Sequence, residues 1–120
     1  MNNGRVVVAF DVDETLITQR FIKDADGLYH LVPGQDLQIP RDENVIAYKW
    51  FQRQGCYMII WSSEGTTYAR DWALRLDLVA DEFPPKGYRQ DVDISIDDSY
   101  VTLANVNLQV PRSKPWNDNV

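Results

Sequence analysis

The sequence predicts an α/β fold built on an open, mostly parallel sheet flanked by helices. Two apolar runs with almost no alternation, residues 5–10 and 56–61, suit strands buried on both faces. Segments with helical spacing of apolar residues follow each of them, which is the order of parallel strands joined by right-handed crossovers. Composition agrees: 120 residues at 44% hydrophobic and 25% charged match one globular domain able to bury a core. The chain 1–120 is therefore expected to be a single domain, without internal repeats or low-complexity tracts.

The elements can be justified in order. Residues 5–10, Arg-Val-Val-Val-Ala-Phe, are rich in β-branched side chains and form the first strand. Residues 17–39 break the pattern: Gly27, Pro33 and Gly34 mark turns around Leu28, Tyr29, His30, Leu31 and Val32, predicting a small hairpin or flap. Pro40, Arg41 and Asp42 open a helix, with Asp42 as its N-cap. Val45, Ile46, Phe51 and either Tyr48 or Trp50 supply its apolar stripe, and Gly55 its stop. After the second strand, residues 66–76 place Tyr68, Ala69, Trp72 and Leu76 on one helical face. Trp50 and Trp72 are thus expected on core faces. Residues 92–96 form a third strand, and residues 106–110 a weaker one that Pro111 stops. Residues 111–120, with Trp116, read as a tail.

Charge and cysteine content narrow the function classes. Twelve Lys and Arg against eighteen Asp and Glu leave a net charge of −6, which opposes general binding to a phosphate backbone. No run approaches the roughly 18 apolar residues that cross a bilayer. Cys56 is the single cysteine, so no intrachain disulfide can form. The N-terminal residues show no signal-peptide pattern, so a cytoplasmic location is expected.

In open α/β sheets the ligand site lies beyond the carboxyl ends of the strands. The first strand delivers Asp11, Asp13, Glu14 and Thr15 there; the second Ser62, Ser63, Glu64 and Gly65; the third Asp97, Asp98 and Ser99. Between the last two lie Lys86 and Arg89, in a loop that begins with Pro84 and Pro85. Grouped carboxylates repel one another and have raised pKa values unless something neutralises them. A hard divalent cation does so, and Mg²⁺ binds through one or two carboxylates plus phosphate oxygens. A hydroxyl and an ammonium complete a cradle for a phosphoryl group. Metal-assisted phosphoryl transfer follows from these residue types. Glu64 and Tyr68 are further candidates to line the pocket. His30, alone in a turn-rich region, reads as a surface or packing residue.

The same segments resemble the four motifs of the haloacid dehalogenase (HAD) superfamily, in the family's order. Asp11-Val-Asp13-Glu-Thr15 after a buried strand is similar to motif I, DxDx[TV]. Ile59-Ile-Trp-Ser62 is similar to motif II, Lys86 stands at the position of motif III, and Asp97-Asp98 resembles the DD form of motif IV. The resemblance covers roughly residues 5–100 and implies a Rossmann-like, HAD-like fold. It implies a Mg²⁺-dependent phosphomonoester hydrolase working through an aspartyl-phosphate. Asp11 would be the nucleophile and Asp13 the general acid and base. The Asp11 carboxylate, the Asp13 backbone carbonyl and Asp97 would hold Mg²⁺, with Asp98 as their partner or an alternate ligand. Thr15 and Ser62, with neighbouring Ser63 as the alternative to Ser62, would meet the phosphoryl group. Lys86, with Arg89 as the alternative, would offset the charge of nucleophile and phosphoryl group together.

Neither the interval between motif I and Pro40 nor that between Ser63 and Lys86 can hold a cap domain of ordinary size, so the site is expected to be open. The flap or a second subunit in a homo-oligomer would then exclude water. The substrate is expected to be a phosphorylated compound of unspecified class, with no membrane partner. A HAD-like domain that binds a phosphorylated ligand without turnover is the alternative. A nucleic-acid end phosphatase is the less favoured third reading, given the net charge.

Overall fold

A computed structural model describes residues 4–18, 21–23, 25–26, 29–31 and 39–111. Strand β1 (Val7–Asp11) is buried at every residue and takes a parallel neighbour on each side. Those neighbours are β6 (Tyr57–Trp61) and β7 (Ile94–Asp97), and β8 (Val106–Gln109) adds in parallel to β7. The four-stranded sheet has the order β6-β1-β7-β8. A single parallel bridge between Ile59 and Glu82 extends the ladder beyond β6. The chain thus runs outward from β1 to β6, then returns across β1 to reach β7. The direction of winding reverses between β1 and β7, the place where a crevice opens at the carboxyl ends of parallel strands. The α/β arrangement expected from the apolar runs is therefore present.

Register sorts the strand side chains onto two faces. Val8, Phe10, Met58, Ile60 and Ile96 share one cluster with Tyr48, Ala69, Trp72 and Ala73, so both helices pack on that side. Phe10 meets the Tyr48 ring edge-on at 5.1 Å. Val7, Ala9, Ile59 and Trp61 form the other cluster, covered by Val92, Leu103 and Ala104. Burial on both faces is why β1 and β6 read as unbroken apolar runs. Strand β8 lies at the edge and exposes Val106 and Leu108, which accounts for its weaker signal.

Helix α1 spans Asp42–Arg53 and helix α2 spans Thr66–Arg75. Two expectations for α1 need correction. Its N-cap is Arg41, and Asp42 is the first helical residue. Arg41 is held there by its own N–H, which donates to Leu16 O at 2.9 Å, and its carbonyl accepts from Asn44 and Val45. Asp42 with Glu43 instead places negative charge in the first turn, where the helix dipole favours it. The apolar stripe also runs through Tyr48 and not Trp50. Trp50 and Ile46 are exposed, because they lie on the flank turned away from Phe10. Gly55 follows the helix at φ +86, the left-handed stop that glycine makes without strain.

The interval after Thr15 contains short antiparallel pairs. β2 (Ile17–Thr18) pairs with β5 (Ile39–Pro40), and β3 (Phe21–Lys23) with β4 (Tyr29–Leu31). A hairpin was expected there. The turn residues Gly27, Pro33 and Gly34, with Leu28 and Val32, lie outside the described residues, as does the tail 112–120 with Trp116. No helix among the described residues is long and apolar enough to cross a membrane.

Candidate functional site

The carboxyl ends of β1 and β7 are Asp11 and Asp97, side by side across the parallel pair and both buried. The turn leaving β1 is tight. Val12 O accepts from the N–H groups of Thr15, Leu16 and Ile17, and Glu14 takes φ +60 to allow it. Helix α1 clamps this turn from outside. Asn44 Nδ2 donates to Thr15 O at 2.8 Å, and Arg41 Nη1 donates to Glu14 O at 2.8 Å. Neither Asn44 nor Arg41 was singled out from sequence, because each acts through a backbone carbonyl some thirty residues away.

Lys86 enters from the loop before β7 and lies between the two strand ends. Its Nζ donates to Asp11 Oδ1 at 3.0 Å and is 2.7 Å from Asp97 Oδ2. The Asp97 contact is a close ion pair to a wholly buried carboxylate oxygen. Asp97 Oδ1 accepts from Ser99 N at 2.9 Å. Thr15 Oγ1 donates to Asp11 Oδ2 at 3.3 Å. Arg89, the other cation of the loop, pairs with Glu82 and at 2.6 Å with Asp91, and lies over the Tyr57 ring. Of the two, Lys86 is the one that reaches the carboxylates.

Asp11, Asp97 and Asp98 each present a carboxylate oxygen within 4.8 Å of the other two, and all three residues are buried. The Lys86 ammonium meets two of these three carboxylates, those of Asp11 and Asp97. Burial pushes the Asp11 carboxyl up to about 7; Asp97 and Asp98 push the same way, while Lys86 opposes them. Burial pulls the Lys86 ammonium down, but its contacts with Asp97 and Asp11 outweigh that and leave its pKa raised. The donor set suits a hard cation: carboxylate oxygens only, gathered at one point. Nothing in these donors singles out Mg²⁺ among such ions.

Asp13 is not part of this triad. Its Oδ1 accepts from Tyr68 Oη at 2.5 Å, in the first turn of α2. Burial raises its pKa, the Tyr68 hydrogen bond lowers it, and Glu64 and Asp98 raise it further. The sequence offers Tyr68 on a helical face and as a candidate to line the pocket, not as the partner of Asp13, which lies 55 residues away. Ser62 is buried, and its Oγ accepts from Glu64 N at 3.0 Å, a turn that leaves the hydroxyl hydrogen to donate elsewhere. Ser63 is exposed. The sequence-derived residues Asp11, Thr15, Lys86, Asp97 and Asp98 thus meet at one edge, with Asp13 bound separately to Tyr68. A depression of about 230 Å³ beside Arg89, Val92 and Asn105 opens at the opposite ends of β7 and β8 and includes none of the carboxylates.

Comparison with known proteins finds no matching family model, no matching curated protein and no matching solved structure.

Proposed function

We propose that this chain is a Mg²⁺-dependent phosphomonoesterase of the HAD type, acting through a phosphorylated Asp11. The observation that carries the proposal is the Lys86 ammonium held between Asp11 and Asp97 inside a buried cluster of three carboxylates. Three buried carboxylates gathered at one point repel one another in low dielectric, and a divalent ion relieves that repulsion. The strand order β6-β1-β7-β8, with the bridge at Glu82 outside β6, supports a Rossmann-like reading, in which the cluster would lie where such sheets bind ligands.

Asp11, Asp97 and Asp98, with the Asp13 carbonyl, would hold Mg²⁺, which when bound screens the repulsion between carboxylate and phosphate. Lys86 contributes the same screening from the protein side. The Asp11 carboxylate attacks phosphorus in line, and the bond from phosphorus to the ester oxygen breaks. The departing oxygen takes a proton from Asp13. Water then attacks the phosphorylated Asp11 and gives a proton to Asp13, releasing inorganic phosphate. Ser62 and Thr15 donate hydroxyl hydrogens to orient phosphoryl and carboxylate oxygens.

The test is hydrolysis of p-nitrophenyl phosphate with and without Mg²⁺, by the wild type and by Asp11→Asn. Turnover that needs the ion and disappears in the variant is expected. Turnover that persists in Asp11→Asn removes Asp11 from its role. Tight binding of phosphate esters without any turnover moves the assignment to a non-catalytic binding domain.

A further inference from the structure

We infer that Tyr68 is a positioning residue, whose hydroxyl holds the Asp13 carboxyl in the orientation from which a proton reaches the leaving oxygen. The inference rests on the phosphatase reading above and adds to it a residue outside the four motifs. The phenol donates to Asp13 Oδ1 at 2.5 Å, at the short end of the range for a hydroxyl meeting a carboxylate. The two partners are anchored differently. Asp13 stands half-buried on the turn after β1. Tyr68 projects from α2, whose next residues, Ala69, Trp72 and Ala73, are packed into the core. Rigidity is thus lent by a helix to a group on a turn, as a proton donor held within tight angular limits requires.

The contact also assigns the two oxygens. With Oδ1 engaged as the acceptor of Tyr68, Oδ2 is the oxygen that would carry the transferable proton. When the bond from phosphorus to the ester oxygen breaks, that oxygen keeps the electron pair and takes the Oδ2 proton. Tyr68 keeps its own proton throughout, and its hydrogen bond strengthens as Asp13 becomes anionic. In the second half-reaction the same Oδ2 accepts a proton from the attacking water.

A donor of this kind matters most when the leaving oxygen is a poor one. An alkoxide needs the proton, whereas p-nitrophenolate departs without it. The experiment measures kcat/KM, which reports the step in which the ester oxygen leaves. Wild type, Tyr68→Phe, Asp13→Asn and the double variant are each assayed with Mg²⁺ on p-nitrophenyl phosphate and on glycerol 2-phosphate. Tyr68→Phe is expected to lose about 10-fold or more on the alkyl ester, within the range of general-acid contributions, and less than about 2-fold on the aryl ester. In the Asp13→Asn background the same change is expected to add nothing, because Tyr68 acts through Asp13. Equal losses on both esters, or an undiminished loss in the Asp13→Asn background, overturn the inference and leave the phosphatase reading standing. A wild type that hydrolyses neither ester takes down both. Should Tyr68→Phe fail to fold, Tyr68→Met is read by the same ratio of substrates.

Discussion

Asp11 shows how a single buried carboxylate makes stability depend on pH. Its ordinary pKa of 3.8 is raised to about 7 by burial and by Asp97. A folded-state pKa above the unfolded one means that the folded protein holds the proton more tightly. The stability this lends is complete below about pH 4 and is lost as pH rises through about 7. Replacing Asp11 by Asn removes that dependence. In metal-free protein, the melting temperature of Asp11→Asn minus that of wild type is therefore expected to grow between pH 4 and pH 8, a trend that differential scanning calorimetry reads directly. A difference that shrinks with pH contradicts the assignment. Lys86 has the opposite character. It lies against buried Asp11 and Asp97, so Lys86→Met leaves both carboxylates uncompensated and is expected to cost roughly 3–5 kcal/mol in urea unfolding. A loss below 1 kcal/mol places the ammonium outside the cluster.

The elements matter through what they hold in place. Helix α1 begins with Arg41 and Asn44 bonded to the carbonyls of Glu14, Leu16 and Thr15, so it braces the turn that aims Asp11 and Asp13. Asn44→Ala leaves a buried carbonyl without its donor. We expect a destabilisation of about 1–3 kcal/mol by urea unfolding, together with weaker divalent binding. The same helix offers an internal contrast. Tyr48 is wholly buried against Phe10 and donates its hydroxyl to Val79 O at 2.7 Å, whereas Trp50 is half-exposed. Tyr48→Ala is expected to cost on the order of 3–5 kcal/mol and Trp50→Ala less than about 1 kcal/mol, as for core and surface aromatics in general. Comparable costs would mean that the core face of α1 has been assigned wrongly.

At the scale of the molecule, an ion held by the carboxylate cluster would be linked to folding. The sheet gathers three buried carboxylates whose repulsion is part of the native state alone, because the unfolded chain lets them separate. A divalent ion that binds only the folded chain raises stability by RT ln(1 + [L]/Kd), about 2.7 kcal/mol at a hundredfold excess over Kd. Millimolar Mg²⁺ is therefore expected to raise the melting temperature of wild type by several degrees and that of Asp97→Asn by much less. Equal shifts in the two proteins would place the ion elsewhere.

Much of this was legible in one dimension. Strands buried on both faces leave unbroken apolar runs, and their ends showed in advance which polar residues would reach the rim. That is why Asp11, Ser62 and Asp97 could be placed at one edge, and why β1 and β6 were located to within a residue or two. Edge position was harder to read, since β8 has one neighbour and keeps little apolar signature. Periodicity along α1 could not choose between Tyr48 and Trp50, because both fit a helical stripe and only the crossing of helix over sheet decides which one meets Phe10. The same holds for partners. Lys86 and Arg89 are equivalent along the chain until Glu82 and Asp91 claim the arginine. Local chemistry, then, determined which residue types reach the strand ends. Only the packing of distant segments decided which cation meets which carboxylate and that Asp13 is bound by Tyr68, since contacts between remote residues depend on direction and distance that linear spacing does not carry.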